Sequence, residues 1–242
     1  TESALSDLLG IGRRRLGAGG AFLSNADYIT QSSSPAFPDI AYNPAADQFV
    51  VVWAQIGSSF IDIDIYGGKL SPEGALQGGI FPIGAAANDD QFPAIATNEQ
   101  NRYLVVWQHK WATNDWDIYG QFLNGSAGLV GGNMGFDTSI ANETRPAVAV
   151  NGATREYLIV YQKTTLVGDG IWGKHVDEDG VTLDGFEVTP GGFGDNAHPA
   201  VATHLAGYFV AYEWEPWGGG SVSDLYGRMW SPHAVFLPLV VR

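Results

Sequence analysis

The sequence predicts an all-β protein: a single β-propeller of four-stranded antiparallel blades, four-bladed, with five blades including a split or partial one as the alternative. Three observations predict it. The first is a repeat. Pro38, Pro93, Pro146 and Pro199 each open the same kind of segment, at steps of 55, 53 and 53 residues, and self-similarity at one period marks a repeat architecture. The second is a pair of landmarks inside each copy: an aromatic (Trp53, Trp107, Tyr161, Tyr212), then an aromatic-glycine pair (Tyr66-Gly67, Tyr119-Gly120, Trp172-Gly173, Tyr226-Gly227). The third is vocabulary. Among 242 residues there are 32 glycines and 12 prolines, with many Val, Ile, Tyr and Trp, which suits strands and tight turns. No segment of useful length carries a helical period.

Taken in order, residues 1–35 supply terminal strands that close or extend the ring. Ser6–Gly10 (SDLLG) echoes SDLYG at Ser223–Gly227, and Ala21–Thr30 reads as the closing strand of a unit. Between them stand Arg13, Arg14 and Arg15, a solvated strand or turn. The repeats then cover about 36–88, 91–142, 144–196 and 197–242. Strand a is short and small: DIAYN from Asp39, AIATN from Ala94, AVAVN from Ala147, AVATH from Ala200. The proline before each lacks an N–H and fits a strand's first residue. Strand b (QFVVVW, RYLVVW, EYLIVY, YFVAY) is apolar on both faces and must be covered on both. Strand c is DIYGGKL, DIYGQFL, GIWGKHV and DLYGRMW. Strand d runs near Phe81, Phe136 and Phe186. Four short antiparallel strands, apolar on both faces and repeated about every 50 residues, are propeller blades. Small residues then line the crowded axis, and the large ones fill the gaps between blades.

Four closed blades need sixteen strands, and the chain offers more. Either Ala21–Thr30 closes the fourth blade beside DLYGRMW, or His233–Val241 does. Whichever is left over would extend the ring or add to a neighbour's sheet edge, a head-to-tail contact between copies.

The pattern P-A-[IV]-A … [YF]-[LV]-V-V-W … D-I-Y-G-[QGR] resembles a repeat of large bacterial secreted and cell-surface proteins that form β-propellers. The resemblance covers roughly residues 36–230. Copies three and four depart from it: Tyr161 and Tyr212 replace Trp, Trp172 replaces Tyr, and Gly170 replaces Asp. It implies an extracellular role in adhesion, binding or assembly, and no catalytic residues.

Composition narrows the partners. The net charge of −14 repels phosphate backbones, so neither nucleic acid nor an anionic membrane is the expected partner. There is no cysteine, hence no disulfide and no thiolate metal site. No apolar run reaches the length of about 18 residues that spans a bilayer. The chain starts at Thr1, which reads as a processed chain.

The repeated aromatics Trp53, Trp107, Tyr161 and Tyr212 read as core, because a residue required at one slot in every blade is packing. Asp64, Asp117 and Asp224 read as caps of backbone N–H groups at the start of strand c. The variable connections are the candidate site, because the b–c and d–a connections of a propeller share one face. The b–c set includes Phe60, Asp62, Trp111, Asn114, Asp115, Trp116, Trp214 and Trp217; the d–a set includes Asp89, Asp90 and Asp195. Aromatic platforms beside amides and carboxylates suit sugars, so Phe60, Trp111, Asn114, Asp115, Trp116, Trp214 and Trp217 are expected to bind a ligand. Asp62, Asp89, Asp90 and Asp195 are the oxygens that would serve calcium, although no EF-hand spacing is present. None of the five histidines has ligand spacing, and no nucleophile elbow, P-loop or sialidase-type S-x-D-x-G-x-T-W box occurs. The function expected is a secreted, non-enzymatic binding or adhesion module for carbohydrate or protein. The alternatives are an extracellular structural protein that self-assembles through its terminal strands, and a glycoside hydrolase built on two of the 26 acids.

Overall fold

The computed structural model describes residues 10–31, 34–57, 61–85, 87–189, 194–204, 207–216, 224–230 and 239–240. Eighteen strands and no helix occur among them. A hairpin comes first, β1 (Gly10–Arg13) with β2 (Asp27–Gln31). Blade 1 is β3 (Ala36–Asn43), β4 (Gln48–Ile56), β5 (Ile63–Leu70) and β6 (Phe81–Gly84). Blade 2 is β7 (Asp90–Thr97), β8 (Arg102–Ala112), β9 (Asp115–Asn124) and β10 (Leu129–Asp137). Blade 3 is β11 (Glu143–Val150), β12 (Tyr157–Thr165), β13 (Gly168–Val176) and β14 (Thr182–Glu187). Blade 4 is β15 (Gly194–His204), β16 (Gly207–Pro216), β17 (Asp224–Trp230) and β18 (Leu239–Val240). Each blade is a four-stranded antiparallel meander, and the whole is a four-bladed β-propeller.

The b strands are apolar on both faces because each is packed from both sides. Val50, Val52 and Ile65 of blade 1 meet Tyr103, Val105 and Trp107 of blade 2. Leu104, Val106 and Ile118 continue to Tyr157, Ile159 and Tyr161 of blade 3, and Leu158 and Val160 to Tyr208, Val210 and Tyr212 of blade 4. Trp53, Trp107 and Tyr161 have no exposed surface and Tyr212 is buried. Covering a large aromatic removes about 200 Å² from water, roughly 5 kcal/mol by area. The aromatic-glycine pair also has its reason: a Cβ on Gly120 would lie 2.6 Å from the Phe136 ring, and one on Gly173 would lie 3.0 Å from Phe186. The phenylalanine of strand d needs that space.

The strand surplus resolves in one direction. Val240 and Leu239 pair with Tyr226 and Gly227, so the C-terminal strand completes blade 4. Ala21–Thr30 does not close that blade; its second half is β2, which pairs with β1. That hairpin lays Ile11 and Ile29 on Val51, Trp53 and Leu70 and covers the outer face of blade 1. The axial strands touch in succession, β3 to β7 to β11 to β15, while β15 and β3 make no comparable contact among the described residues. The hairpin therefore occupies the place beside blade 1 that a further blade would fill. Among the described residues no helix is long and apolar enough to cross a membrane.

Candidate functional site

The b–c turns and the d–a connections do share one face. In blade 2, Asp90 at the start of strand a pairs with His109 at the end of strand b, and His109 pairs with Asp117 at the start of strand c. Blade 3 repeats this with Glu143 opposite Lys163. Carboxylates collect here from blades 1 to 3: Asp62, Asp64, Asp89, Asp90, Asp115, Asp117, Asp137 and Glu143.

Two of these acids anchor the core. The Trp107 indole N–H donates to Asp90 Oδ1 at 2.8 Å, and His109 Nδ1 lies 2.7 Å from the same oxygen. In blade 3 the Tyr161 hydroxyl donates to Asp137 Oδ2 at 2.6 Å. Lys163 Nζ is clamped at 2.9 Å from Asp137 and 3.0 Å from Glu143. A buried Trp N–H or Tyr O–H needs an acceptor, and the acids supply it. Asp90, read from sequence as a rim residue, and Glu143 are thus fully buried and bonded to strand b of their own blades, whereas Asp137 ties blade 2 to blade 3. Burial raises the pKa of Asp90 and Glu143 despite these bonds.

Asp64 and Asp117 behave differently. They occupy equivalent positions at the start of strand c and are 6% and 4% exposed. Expected to cap backbone N–H groups, they accept no hydrogen bond from the described residues. With no hydrogen bond to offset the loss of water, burial pushes both carboxyls up to about 6. Asp62 and Asp90 add to the rise at Asp64. Asp115 and Asp137 add to it at Asp117, against His109. Burial, with Asp117 and Asp90 nearby, raises the pKa of the Tyr119 hydroxyl. The space for Asp64 is cut by a glycine: a Cβ on Gly57 would sit 2.1 Å from its Oδ2.

The expected ligand-binding residues fall into three groups. Trp111 is 63% exposed and Asn114 forms the β8–β9 turn with φ of 59°. Trp116 is half-buried under the Lys110 ammonium, and Asp115 is half-buried with Oδ1 enclosed. Trp214 is half-buried edge-on against Tyr226 in blade 4. Phe60 and Trp217 lie outside the described residues. The rim is real at Trp111 and Asn114, whereas Trp116 and Trp214 are partly packed rather than free platforms. Of the oxygens considered for calcium, Asp62 and Asp90 both act on Asp64, and the others are engaged elsewhere. Asp89 pairs with Lys110 at 3.3 Å, Asp90 accepts from Trp107 within blade 2, and Asp195 of blade 4 accepts from the Asp169 N–H of blade 3. Among the described residues no group of three or more acids or histidines is arranged to hold a metal.

Sequence reasoning missed the residue before each repeat proline. Phe37, Phe92, Arg145 and His198 have φ of 54°, 53°, 51° and 50°. Each sits in the register shift of its axial strand. The Phe37 and Phe92 rings stack with centroids 3.9 Å apart, and the Arg145 guanidinium lies 4.5 Å from the Phe92 centroid. The only sequence signal was a large side chain before proline in all four copies. A cavity of about 940 Å³ lies elsewhere, between the β1–β2 hairpin and blade 1, lined by Arg13, Arg15, Ile29, Asp39, Phe49 and Glu73. None of the rim carboxylates reaches it, so it is not the site of the acid chemistry.

No protein-family model matches the chain, and no curated protein matches it in sequence. Solved structures share its fold. A sialidase from Trypanosoma rangeli superposes with a TM-score of 0.57 at 10% identity, over 94% of this chain and 40% of the sialidase. An α-L-arabinofuranosidase from Lactobacillus brevis gives 0.54 at 11%, over 88% and 80%. An endo-arabinase from Bacteroides thetaiotaomicron gives 0.51 at 13%, over 91% and 80%. The chain thus spans about 40% of the length of the sialidase it resembles. These neighbours correct the expectation of a non-enzymatic module. That expectation took the propeller as a binding scaffold, and the same propeller is the fold of glycoside hydrolases.

Proposed function

We propose that this protein is a carbohydrate-active hydrolase that cleaves glycosidic bonds on the b–c face, with Asp64 and Asp117 as its acid and base. The observation that carries the reading is the pair of buried carboxyls without hydrogen-bond donors, both raised to about 6. Glycoside hydrolysis needs one carboxyl protonated to donate to the leaving oxygen and one ionised to assist attack. A carboxyl near 6 can serve either part at neutral pH. Asp90 and Glu143 have no exposed surface and cannot touch a substrate. Burial disfavours ionisation of Asp64 first, and Asp62 and then Asp90 add to it.

The structural neighbours support the same class, since their names describe enzymes acting on sialosides and arabinosides. Trp111 and Asn114, near the β8–β9 turn, supply an exposed ring and amide on the same blade as Asp117. A polymeric glycan substrate and the repeat resemblance both fit work outside the cell.

The test is turnover of a panel of aryl glycosides, pyranosides and furanosides, by wild type and by Asp64→Asn and Asp117→Asn. The reading expects hydrolysis of at least one member and its loss by about 10²-fold or more in each variant. No turnover across the panel, or turnover untouched by both substitutions, would refute it.

A further inference from the structure

We infer that three of the residues preceding the repeat prolines, Phe37, Phe92 and Arg145, form a binding platform on the propeller axis for an acidic sugar, a ring bearing a carboxylate. The inference rests on the hydrolase reading for the direction of substrate approach and adds the substrate class. It starts from the backbone. A side chain with φ near +50° crowds its own carbonyl, and glycine adopts that geometry freely. The chain spends 32 glycines elsewhere and none at these four positions, where it holds Phe, Phe, Arg and His in the left-handed region. Non-glycine residues kept there cluster at ligand clamps. The bulge at each site takes the side chain out of the strand's alternation and re-aims it, and the proline that follows fixes the exit of the chain.

The side chains converge. Phe37 of blade 1, Phe92 of blade 2 and Arg145 of blade 3 form one stack across three blades. A core plug would be buried, yet Phe37 is 46% exposed. Arg145 is held from behind, its backbone N–H donating to Gln108 Oε1 at 3.0 Å. Its guanidinium makes no ion pair with the described carboxylates, in a chain with 26 acids against 12 lysines and arginines. The other cations near this face are paired: Lys110 with Asp89, and Lys163 with Asp137 and Glu143. His198 faces outward with Nδ1 3.0 Å from Glu213.

Chemistry then selects the ligand. The C–H face of a sugar ring stacks on phenylalanine, and a planar guanidinium binds a carboxylate through two parallel hydrogen bonds. Stacking on Phe92 leaves the edge of the Arg145 fork available. A neutral sugar would use the rings and leave the guanidinium unspent. The charge of −14 slows an anion's approach, but screening over about 8 Å at physiological salt leaves the local contact with Arg145 in control.

Calorimetric titration with a galacturonate trisaccharide and its neutral galactose counterpart tests this. Wild type is expected to bind the acidic sugar at least tenfold more tightly. Arg145→Gln is expected to remove that preference without lowering the melting temperature, and Arg145→Lys to restore part of it. Phe92→Leu should weaken both sugars alike. Equal binding of the two sugars, binding of neither at millimolar concentration, or a preference that survives Arg145→Gln in a folded variant would overturn the inference. Asp117→Asn separates the two readings. If it keeps the acidic preference while no glycoside is hydrolysed by wild type, the platform stands and the hydrolase reading fails. Hydrolysis with no Arg145-dependent preference gives the reverse.

Discussion

Replacing Asp64 or Asp117 by asparagine is expected to stabilise the protein at pH 8 and to do nothing at pH 4. An aspartate in an unfolded chain ionises near 3.9, whereas these two ionise near 6 in the fold, chiefly because of burial. Between those values the native state holds protons that the unfolded state has released. Stability therefore falls as pH rises from about 4 to about 6, and the whole penalty is in place above 6. The gap corresponds to roughly 3 kcal/mol per carboxyl at 1.36 kcal/mol per pH unit. Water reaching the rim reduces this to about 1–2 kcal/mol. For a chain of this size that is a gain of roughly 2–8 °C in melting temperature. The assay is thermal melting of wild type and both variants at pH 4, 5, 6, 7 and 8. Variants less stable than wild type at pH 8, or offset by the same amount at pH 4 and pH 8, would refute the claim that these carboxyls are strained by burial.

Three further outcomes follow from the same geometry. Trp107→Ala should lose about 3–5 kcal/mol because it empties a fully enclosed slot and strands Asp90, while Trp111→Ala, at an exposed ring, should lose under about 1 kcal/mol; denaturant melts compare them. Lys163→Met should cost about 3–5 kcal/mol by leaving Asp137 and Glu143 buried without their shared cation, and the loss should shrink in acid as the carboxyls protonate. Gly57→Ala should displace the Asp64 carboxylate, whose Oδ2 lies 2.1 Å from the new Cβ position, and reduce kcat/KM on any hydrolysed glycoside by about 10²-fold with the fold retained by circular dichroism.

The fold was legible because its constraints repeat. Trp53, Trp107, Tyr161 and Tyr212 fill one slot between successive blades, so they recur at one spacing and announce themselves. Strand b reads as buried because both its faces are apolar. The site was less legible, for physical reasons. Asp90 looks like a rim acid beside Asn88 and Asp89, and only the three-dimensional register shows it accepting the Trp107 indole N–H. Trp116 alternates outward in sequence, but Lys110 lies over its ring. Asp64 and Asp117 recur in the D-I-Y-G motif and so read as structural caps, yet the fold gives them no donor. Phe37, Phe92, Arg145 and His198 were hidden because a left-handed residue is sought at glycine or asparagine, and a bulge shifts the strand's alternation unseen.

The pH dependence of kcat/KM on a hydrolysed glycoside bears most directly on the central claim, that Asp64 and Asp117 act together as acid and base. One must be protonated and the other ionised, so the profile should be a bell with its maximum near pH 6. Each asparagine variant should retain less than about 1% of the activity. A profile flat from pH 5 to 8, or a bell unchanged in height and position in both variants, would contradict the account.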